Sequence, residues 1–210
     1  MITFEEFYGQ TLPGLKTAEK QLVEYIDAYQ EENLDEDIKI IQYCKSRIKS
    51  PDSMIEKLKK RKLPVNCETA LTEIYDAVGI RIICSFIDDI YNIAKWLKGL
   101  EEIEIIETKD YVAYPKSNGY RSYHMILKII EGPGKGIYAE IQIRTIALDF
   151  WANLEHQIKY KKTIKDEELI RHELKRCADE IASVDWSMQT LRELIADEVL
   201  LPFTPKGCAL

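Results

Sequence analysis

The chain has 210 residues, a formal net charge of −7 and a hydrophobic fraction of 46%. These values fit one domain with a sizeable core and exclude a globally disordered chain. The negative charge excludes the overall surface of a duplex-DNA-binding protein, and the absence of a long apolar run excludes a membrane span. Five cysteines without a CxxC pair or a secretory leader predict a protein of the reduced cytoplasm.

The N-terminal part of the chain is predicted to be helical. Apolar residues recur at helical spacing over 13–32, and a short second helix is expected over 38–43. The run Ser50-Pro-Asp-Ser53 has the residues of a turn and a helix cap. It predicts a third helix that ends near Arg61.

The central and C-terminal parts mix strand and helix patterns. The predicted strands lie at 78–87, 103–109, 123–130 and 136–144, and the predicted helices at 88–100, 146–160 and 166–199. A Gly-Pro-Gly turn signal at 132–134 joins the last two strands, so that pair is antiparallel. We therefore expect one α+β domain over 1–210, with a core over about 40–160 in which helices surround four or five strands.

A concentrated basic segment stands out in this acidic chain. Between Lys45 and Lys62 there are eight Lys or Arg residues against only Asp52 and Glu56. The cluster indicates either a small, highly charged anion as ligand or a solvated helix face.

Two carboxylates lie in or beside predicted strands. Glu140 shares one strand face with Gln142 and Arg144, and that face either meets water or lines a cleft. Asp76 stands just ahead of an apolar strand that Arg81 interrupts. A buried arginine needs a partner, so Arg81 either pairs with a carboxylate or faces phosphate at the floor of a cleft.

Carboxylates without nearby His or Cys are hard oxygen ligands, which suit Mg²⁺ bridged to substrate phosphates. The loop from Lys116 to His124 adds the cation Arg121, a flexible Gly119 and the aromatic ring of Tyr120, which can stack on a base. No glycine-rich P-loop occurs. The residues by themselves therefore predict a nucleotide-phosphate cleft with an oxygen-ligated metal, and leave the reaction open.

Four segments, in this order and spacing, resemble the synthetase domain of the RelA/SpoT family. They are Arg47-Ile-Lys-Ser-Pro-Asp-Ser-Met-Ile-Glu-Lys57, Asp76-Ala-Val-Gly-Ile-Arg-Ile82, Lys116-Ser-Asn-Gly-Tyr-Arg-Ser-Tyr-His124 and Glu140-Ile-Gln-Ile-Arg-Thr145. The short chain and the segment 150–156 are similar to the small alarmone synthetases of that family.

The resemblance implies a nucleotidyltransferase-like mixed sheet of about five strands, with helical extensions at both ends. It implies transfer of pyrophosphate from ATP to the 3′-hydroxyl of GTP or GDP, with GMP as a further acceptor, and no hydrolase activity. The product would be (p)ppGpp, the alarmone of the stringent response. A homotetramer, with terminal helices between subunits, is also implied.

The resemblance also assigns roles to residues. The residues implied to bind ATP are Arg47, Lys49, Ser53, Lys57, Lys60 and Arg81. Mg²⁺ is placed on Asp76 and Glu140, which with Arg81 form the catalytic set. Chemistry adds a further expectation, because a carboxylate next to the metal, such as Glu140, can accept the proton of the 3′-hydroxyl. The residues implied for the acceptor are Lys109, Lys116, Asn118, Tyr120, Arg121, His124, Gln142 and Asp149.

Two positions depart from the family pattern, and two other functions stay open. Lys109 stands where an arginine is expected, which leaves the acceptor phosphate preference open, and Asp149 stands where some members have asparagine. One alternative is the same transfer to an adenine nucleotide. The other is a catalytically inactive regulator that binds nucleotide or single-stranded RNA.

Overall fold

The computed structural model of this protein describes residues 2–33, 39–159 and 166–200. The helices are α1 (Phe4–Tyr8), α2 (Leu12–Glu32), α3 (Pro51–Lys60), α4 (Cys67–Glu73), α5 (Ile87–Lys98), α6 (Ile146–Lys159) and α7 (Glu167–Leu200). The strands are β1 (Ile41–Ile48), β2 (Val78–Cys84), β3 (Ile103–Asp110), β4 (Tyr123–Ile129) and β5 (Tyr138–Thr145). Within these residues, no helix has the length and apolar character needed to cross a membrane.

The five strands form one mixed sheet in the order β1-β2-β5-β4-β3. Strands β2 and β5 are parallel, and the other neighbouring pairs are antiparallel. Helices flank the sheet and also precede and follow it, which confirms the predicted α+β architecture. The parallel pair brings the start of β2 beside the first half of β5, where the two predicted carboxylates lie.

One face of the sheet is apolar and forms the core. Its buried side chains alternate along the three central strands: Val78, Ile80 and Ile82; Ala139, Ile141 and Ile143; Met125, Leu127 and Ile129. Helix α2 covers this face with residues one helical turn apart, such as Leu15, Ala18 and Leu22, and α5 packs beside it. Burial of each such Leu or Ile side chain stabilises the folded state by about 1.5–3 kcal/mol. This face therefore supplies much of the stability of the domain.

The other face of the sheet is mostly polar, and its residues pair into rows that cross all five strands. One row consists of Lys45, Arg81, Gln142, His124 and Lys109, from β1 to β3. The next row consists of Arg47, Gly79, Glu140, Ile126 and Glu107. Neighbouring strands lie about 4.8 Å apart, so a ligand laid across the sheet can meet several residues of a row.

The prediction of a short helix over 38–43 is wrong where the structure describes it. Residues from Ile41 onward form β1, an edge strand that pairs antiparallel with β2, and Ile38 lies outside the described residues. The pairing partner is about 35 residues away, so local spacing of apolar residues did not reveal it. Helices α1 and α4 are also absent from the sequence prediction.

The predicted turn and cap at 50–53 agree with the structure. The Ser50 hydroxyl accepts a hydrogen bond from the backbone N–H of Ser53, and Pro51 occupies the first turn of α3. This cap sets the direction of α3, whose basic residues reach the polar face.

Gly134, in the turn between β4 and β5, packs directly against α2. A Cβ atom added to Gly134 would lie 2.7 Å from Ala18 Cα and 2.9 Å from Ala18 Cβ. Gln21 holds the same turn, because its Oε1 accepts a hydrogen bond from the Gly134 N–H at 2.7 Å. The turn therefore has no room for a larger residue.

We expect Gly134→Ala to lower the free energy of unfolding by about 1–3 kcal/mol, as overpacking usually does. Gly14→Ala in α2 is the matched control, because a Cβ there meets nothing within 4 Å. Alanine is also the better helix former, so this control should gain up to about 1 kcal/mol. Urea unfolding measures both changes, and equal effects would contradict the close packing at Gly134.

Candidate active site

Asp76 and Glu140, the two carboxylates predicted from the sequence, line the same two adjoining cavities on the polar face. Asp76 lies just before β2, and Glu140 is the partner of Gly79 across the parallel pair. We call the cavity of about 210 Å³ the β1-side cavity and the cavity of about 320 Å³ the β3-side cavity. The carboxylates thus stand at the boundary between two cavities.

The Asp76 carboxylate is held by two lysines through one of its oxygens. Its Oδ2 accepts hydrogen bonds from Lys49 Nζ at 3.0 Å and from Lys57 Nζ at 2.5 Å. Its Oδ1 is buried and has no hydrogen-bond partner among the described residues. A buried carboxylate oxygen without a partner is costly, so Oδ1 is well suited to ligate a cation.

Two side chains, Gln142 and His124, contact the Glu140 carboxylate, one at each oxygen. Gln142 Nε2 donates to its Oε2 at 2.9 Å, and His124 Nδ1 lies 3.3 Å from its Oε1. Burial raises the pKa of Glu140, but interactions with His124, Gln142 and Lys57 outweigh burial and lower this pKa to about 2. Glu140 is therefore ionised at neutral pH, as a metal ligand must be.

The β1-side cavity is cationic because alternate residues of β1 face it. Lys45 and Arg47 come from β1, and Arg81 comes from β2 beside Lys45. Gln142, predicted for the acceptor, also lines this cavity. The cluster of charges fits a polyphosphate.

The β3-side cavity combines cations with aromatic rings. Lys57, Lys109 and Lys116 line it together with His124. Lys57 was predicted to bind ATP, and the other three were predicted to bind the acceptor. The Lys116 ammonium lies 4.5 Å from the centre of the Tyr111 ring. Tyr111 lines the cavity but was not predicted, and its place five residues before Lys116, where the polar loop begins, was the signal that could have identified it.

Several predicted site residues lie outside the lining of both cavities. Arg121 donates to Asp179 of α7, and Asn118 donates to Glu155 of α6. Ser53 and Lys60 are exposed on α3. These side chains are near the site in sequence, but the structure directs the first two toward the C-terminal helices.

Asp149 is likewise outside the lining of both cavities, and it accepts hydrogen bonds from two arginines. Its Oδ1 accepts from Arg81 Nη1 at 3.3 Å and from Arg144 Nη1 at 3.0 Å. The Asp149 side chain is 2% exposed, so its predicted contact with the acceptor is not available in this conformation. Arg81 therefore satisfies both readings of the sequence, since it pairs with a carboxylate and also lines the β1-side cavity.

Tyr120 is hydrogen-bonded through its hydroxyl, and its ring is packed against neighbouring side chains. The hydroxyl accepts from Arg144 Nη2 at 2.7 Å and lies 2.7 Å from His124 Nε2. The ring packs against the cluster formed by Trp151 and Ala178 of α6 and α7. Its predicted stacking on a base stays a prediction.

Comparison with known proteins gives a consistent match. Residues 46–165 match the model described as the region found in RelA/SpoT proteins. The GTP pyrophosphokinase YwaC of Bacillus subtilis is 41% identical over 167 residues, which cover 78% of this chain and 80% of that protein.

Solved structures match over most of the chain as well. Small alarmone synthetase 1 of Bacillus subtilis, bound to its product pppGpp, has a TM-score of 0.79 and 29% identity, and the match covers 89% of this chain and 97% of that chain. Small alarmone synthetase 2 of the same organism has a TM-score of 0.76 and 38% identity, with coverage of 88% and 98%.

Proposed function

This chain belongs to the RelA/SpoT family, and we infer that it makes (p)ppGpp by transferring a pyrophosphate group from ATP to the 3′-hydroxyl of GTP or GDP. A similar relative is named a GTP pyrophosphokinase, and a similar structure holds pppGpp as its product. One observation carries the inference for this chain. Asp76 and Glu140 line both cavities, so two nucleotides bound in neighbouring cavities would meet at these carboxylates.

We propose that ATP occupies the β1-side cavity. Arg47 and Arg81 supply fixed positive charge there, and Lys49 and Lys57 stand at the boundary on Asp76. Cations at these positions would hold the triphosphate and neutralise its charge in the transition state.

We propose that the acceptor occupies the β3-side cavity. Lys109 and Lys116 would contact its phosphates, and His124 would contact the ribose next to Glu140. Tyr120, as the family resemblance implies, and Tyr111, which lines the cavity, are the candidates for stacking on guanine.

Mg²⁺ is the proposed cofactor, and the residues present fit it. Asp76 offers a buried oxygen without a partner, and Glu140 is ionised. Both are oxygen ligands, which Mg²⁺ prefers. When bound, Mg²⁺ would neutralise charge on the transferred phosphates.

The proposed transfer is a single displacement in which atoms and charges balance. The acceptor O3′ attacks the β-phosphorus of ATP, the bond from that phosphorus to the oxygen bridging to the α-phosphorus breaks, and AMP leaves. The proton of the 3′-hydroxyl passes to Glu140, as a general base next to the proposed metal. Arg81 and Lys57 would stabilise the negative charge that develops on the phosphate oxygens in the transition state.

The test uses ATP labelled in its β-phosphate, Mg²⁺ and each of GMP, GDP, GTP and ADP in turn. We expect AMP and a guanosine 3′-pyrophosphate, no product when EDTA is present, and recovery when Mg²⁺ is added in excess. Product formed only with ADP would instead identify an adenine acceptor. No product with any acceptor would favour a regulator that only binds nucleotide or RNA.

Four features predicted from the sequence remain proposals: a single synthetase domain over 1–210, a homotetramer, a cytoplasmic location and binding of single-stranded RNA. The tetramer is supported by an apolar groove between α6 and α7, where Phe150, Val184 and Met188 are about half exposed or more. The RNA proposal is supported by exposed basic residues at the end of α3. The absence of hydrolase activity is likewise a prediction, which incubation with purified pppGpp would test.

A further inference from the structure

Arg144 is a buried arginine outside the lining of both cavities, yet it contacts the groups that surround Glu140. Its side chain is 4% exposed. Its guanidinium donates hydrogen bonds to Ser122, Asp149, Tyr120 and Gln142. An arginine side chain has donors only, so each of these partners must accept.

The first consequence is the direction of the hydrogen bonds through Tyr120. Arg144 Nη2 donates to Tyr120 Oη at 2.7 Å, and Tyr120 Oη lies 2.7 Å from His124 Nε2. Because Tyr120 Oη already accepts from Arg144, its own hydrogen is free to be donated to His124 Nε2. His124 then carries its hydrogen on Nδ1, which faces Glu140 Oε1 at 3.3 Å.

The opposite tautomer of His124 is unfavourable at both of its nitrogens. A hydrogen on Nε2 would make Tyr120 Oη accept from two donors and would deprive the tyrosine hydrogen of its partner. The lone pair of Nδ1 would also face the Glu140 carboxylate, and an ionised carboxylate has no hydrogen to donate to it. The arrangement therefore favours one tautomer.

The second consequence is the orientation of the Gln142 amide. Arg144 Nη2 donates to Gln142 Oε1 at 2.8 Å, so the amide nitrogen is the atom that turns toward Glu140. Gln142 Nε2 donates to Glu140 Oε2 at 2.9 Å. Both ends of the amide require the same orientation, since one neighbour only donates and the other only accepts.

We infer that Arg144 is a positioning residue that, through Tyr120 with His124 and through Gln142, aims one hydrogen-bond donor at each oxygen of Glu140. The inference rests on the proposed role of Glu140 in the transfer. The two paths from one guanidinium nitrogen hold the carboxylate plane and leave the remaining lone pairs for cation and acceptor. Asp149 and Ser122 hold the guanidinium itself in place.

The test is the tautomer of His124, read by ¹⁵N NMR of protein labelled in its three histidines. The measurement uses the full chain without substrate, in mildly alkaline buffer. Wild type should show the Nδ1–H form for His124. Tyr120→Phe keeps the ring and removes one of the two contacts that favour Nδ1–H, so a measurable part of the His124 population should convert to the Nε2–H form. Arg144→Lys should do the same.

Tyr111→Phe is the matched control, because Tyr111 contacts His124 through its ring, 5.3 Å between centres. This variant should leave the tautomer unchanged. In kinetic assays, Tyr120→Phe should lower kcat by about tenfold, as loss of a supporting hydrogen bond often does, while the KM for ATP stays within about twofold. A variant that is merely less stable would also lower the apparent kcat at unchanged KM, so each rate is divided by the folded fraction that circular dichroism gives under the assay conditions.

An Nε2–H tautomer of His124 in wild type would overturn the inference, and so would an unchanged tautomer in Tyr120→Phe. The outcome is separate from that of the proposed function, because the NMR measurement needs no substrate. If wild type shows the expected tautomer but forms no product, the proposed function is wrong and the hydrogen-bond arrangement around His124 still stands. If wild type forms product but the His124 tautomer does not change in Tyr120→Phe, the proposed role of Arg144 is wrong and the proposed function still stands. Arg144→Lys can be less stable, and Tyr120→Phe keeps the test decisive in that case.

Discussion

Asp76→Asn and Glu140→Gln are each expected to lower pyrophosphate transfer by at least about 10³-fold. Both substitutions keep the size of the side chain and remove its charge. Asp76 Oδ1 has no partner among the described residues, so Asp76→Asn would take away a proposed cation ligand, while the remaining oxygen would still accept from Lys49 and Lys57. Initial rates of AMP release with ATP and GDP measure the effect.

Glu104→Gln is the matched control for these two variants. Glu104 is an exposed residue of β3 outside the lining of both cavities, so its charge should not matter for the transfer. Thermal unfolding of all three variants checks that each is folded. If either carboxylate variant kept activity within about tenfold of wild type, the site at the boundary of the two cavities would be wrong.

Asp149→Ala is expected to lower the free energy of unfolding by about 3–5 kcal/mol, the usual cost of leaving a buried charge without its partner. Asp149 accepts from both Arg81 and Arg144, and the Arg144 side chain is only 4% exposed. Tyr43→Phe removes one hydrogen bond to the other oxygen of Asp149 and should lose only about 1 kcal/mol. Urea unfolding at neutral pH compares the two, and equal losses would contradict a charge held between two arginines.

The stability that Asp149 contributes should depend on pH in a defined direction. Burial raises the pKa of Asp149, but the hydrogen bond from Tyr43 and the charges of Arg81 and Arg144 lower it below its ordinary value of 3.8. An acid with a lowered pKa in the folded state stabilises the protein fully above its unfolded pKa and loses this effect as the pH falls through the folded pKa. The difference in stability between wild type and Asp149→Ala should therefore be constant near neutral pH and shrink below 3.8.

The local patterns of the sequence determined most helices, four of the five strands and the residue types of the site. Alternation along β4 and β5 and helical spacing in α2 are properties of a few neighbouring residues, so they can be recognised without knowing what packs against them. The cap at Ser50 is equally local. The segments that contain Asp76 and Glu140 were identified for the same reason, since each motif lies within one short stretch.

Only the tertiary structure decided which of these residues meet. The row from Lys45 to Lys109 depends on the pairing of all five strands, and strand register is set by contacts between residues far apart in sequence. The same holds for β1, whose polar and apolar residues become a strand pattern only beside β2.

Long-range pairing also separated the site residues from their neighbours in sequence. Arg121 and Asn118 belong to the same loop as Lys116, but α7 and α6 offer them acidic partners that a sequence motif does not reveal. Asp149 was predicted as a ligand contact, and the fold instead buries it between two arginines from different strands. A charged side chain that loses water needs a partner, and which partner it finds is settled by the fold.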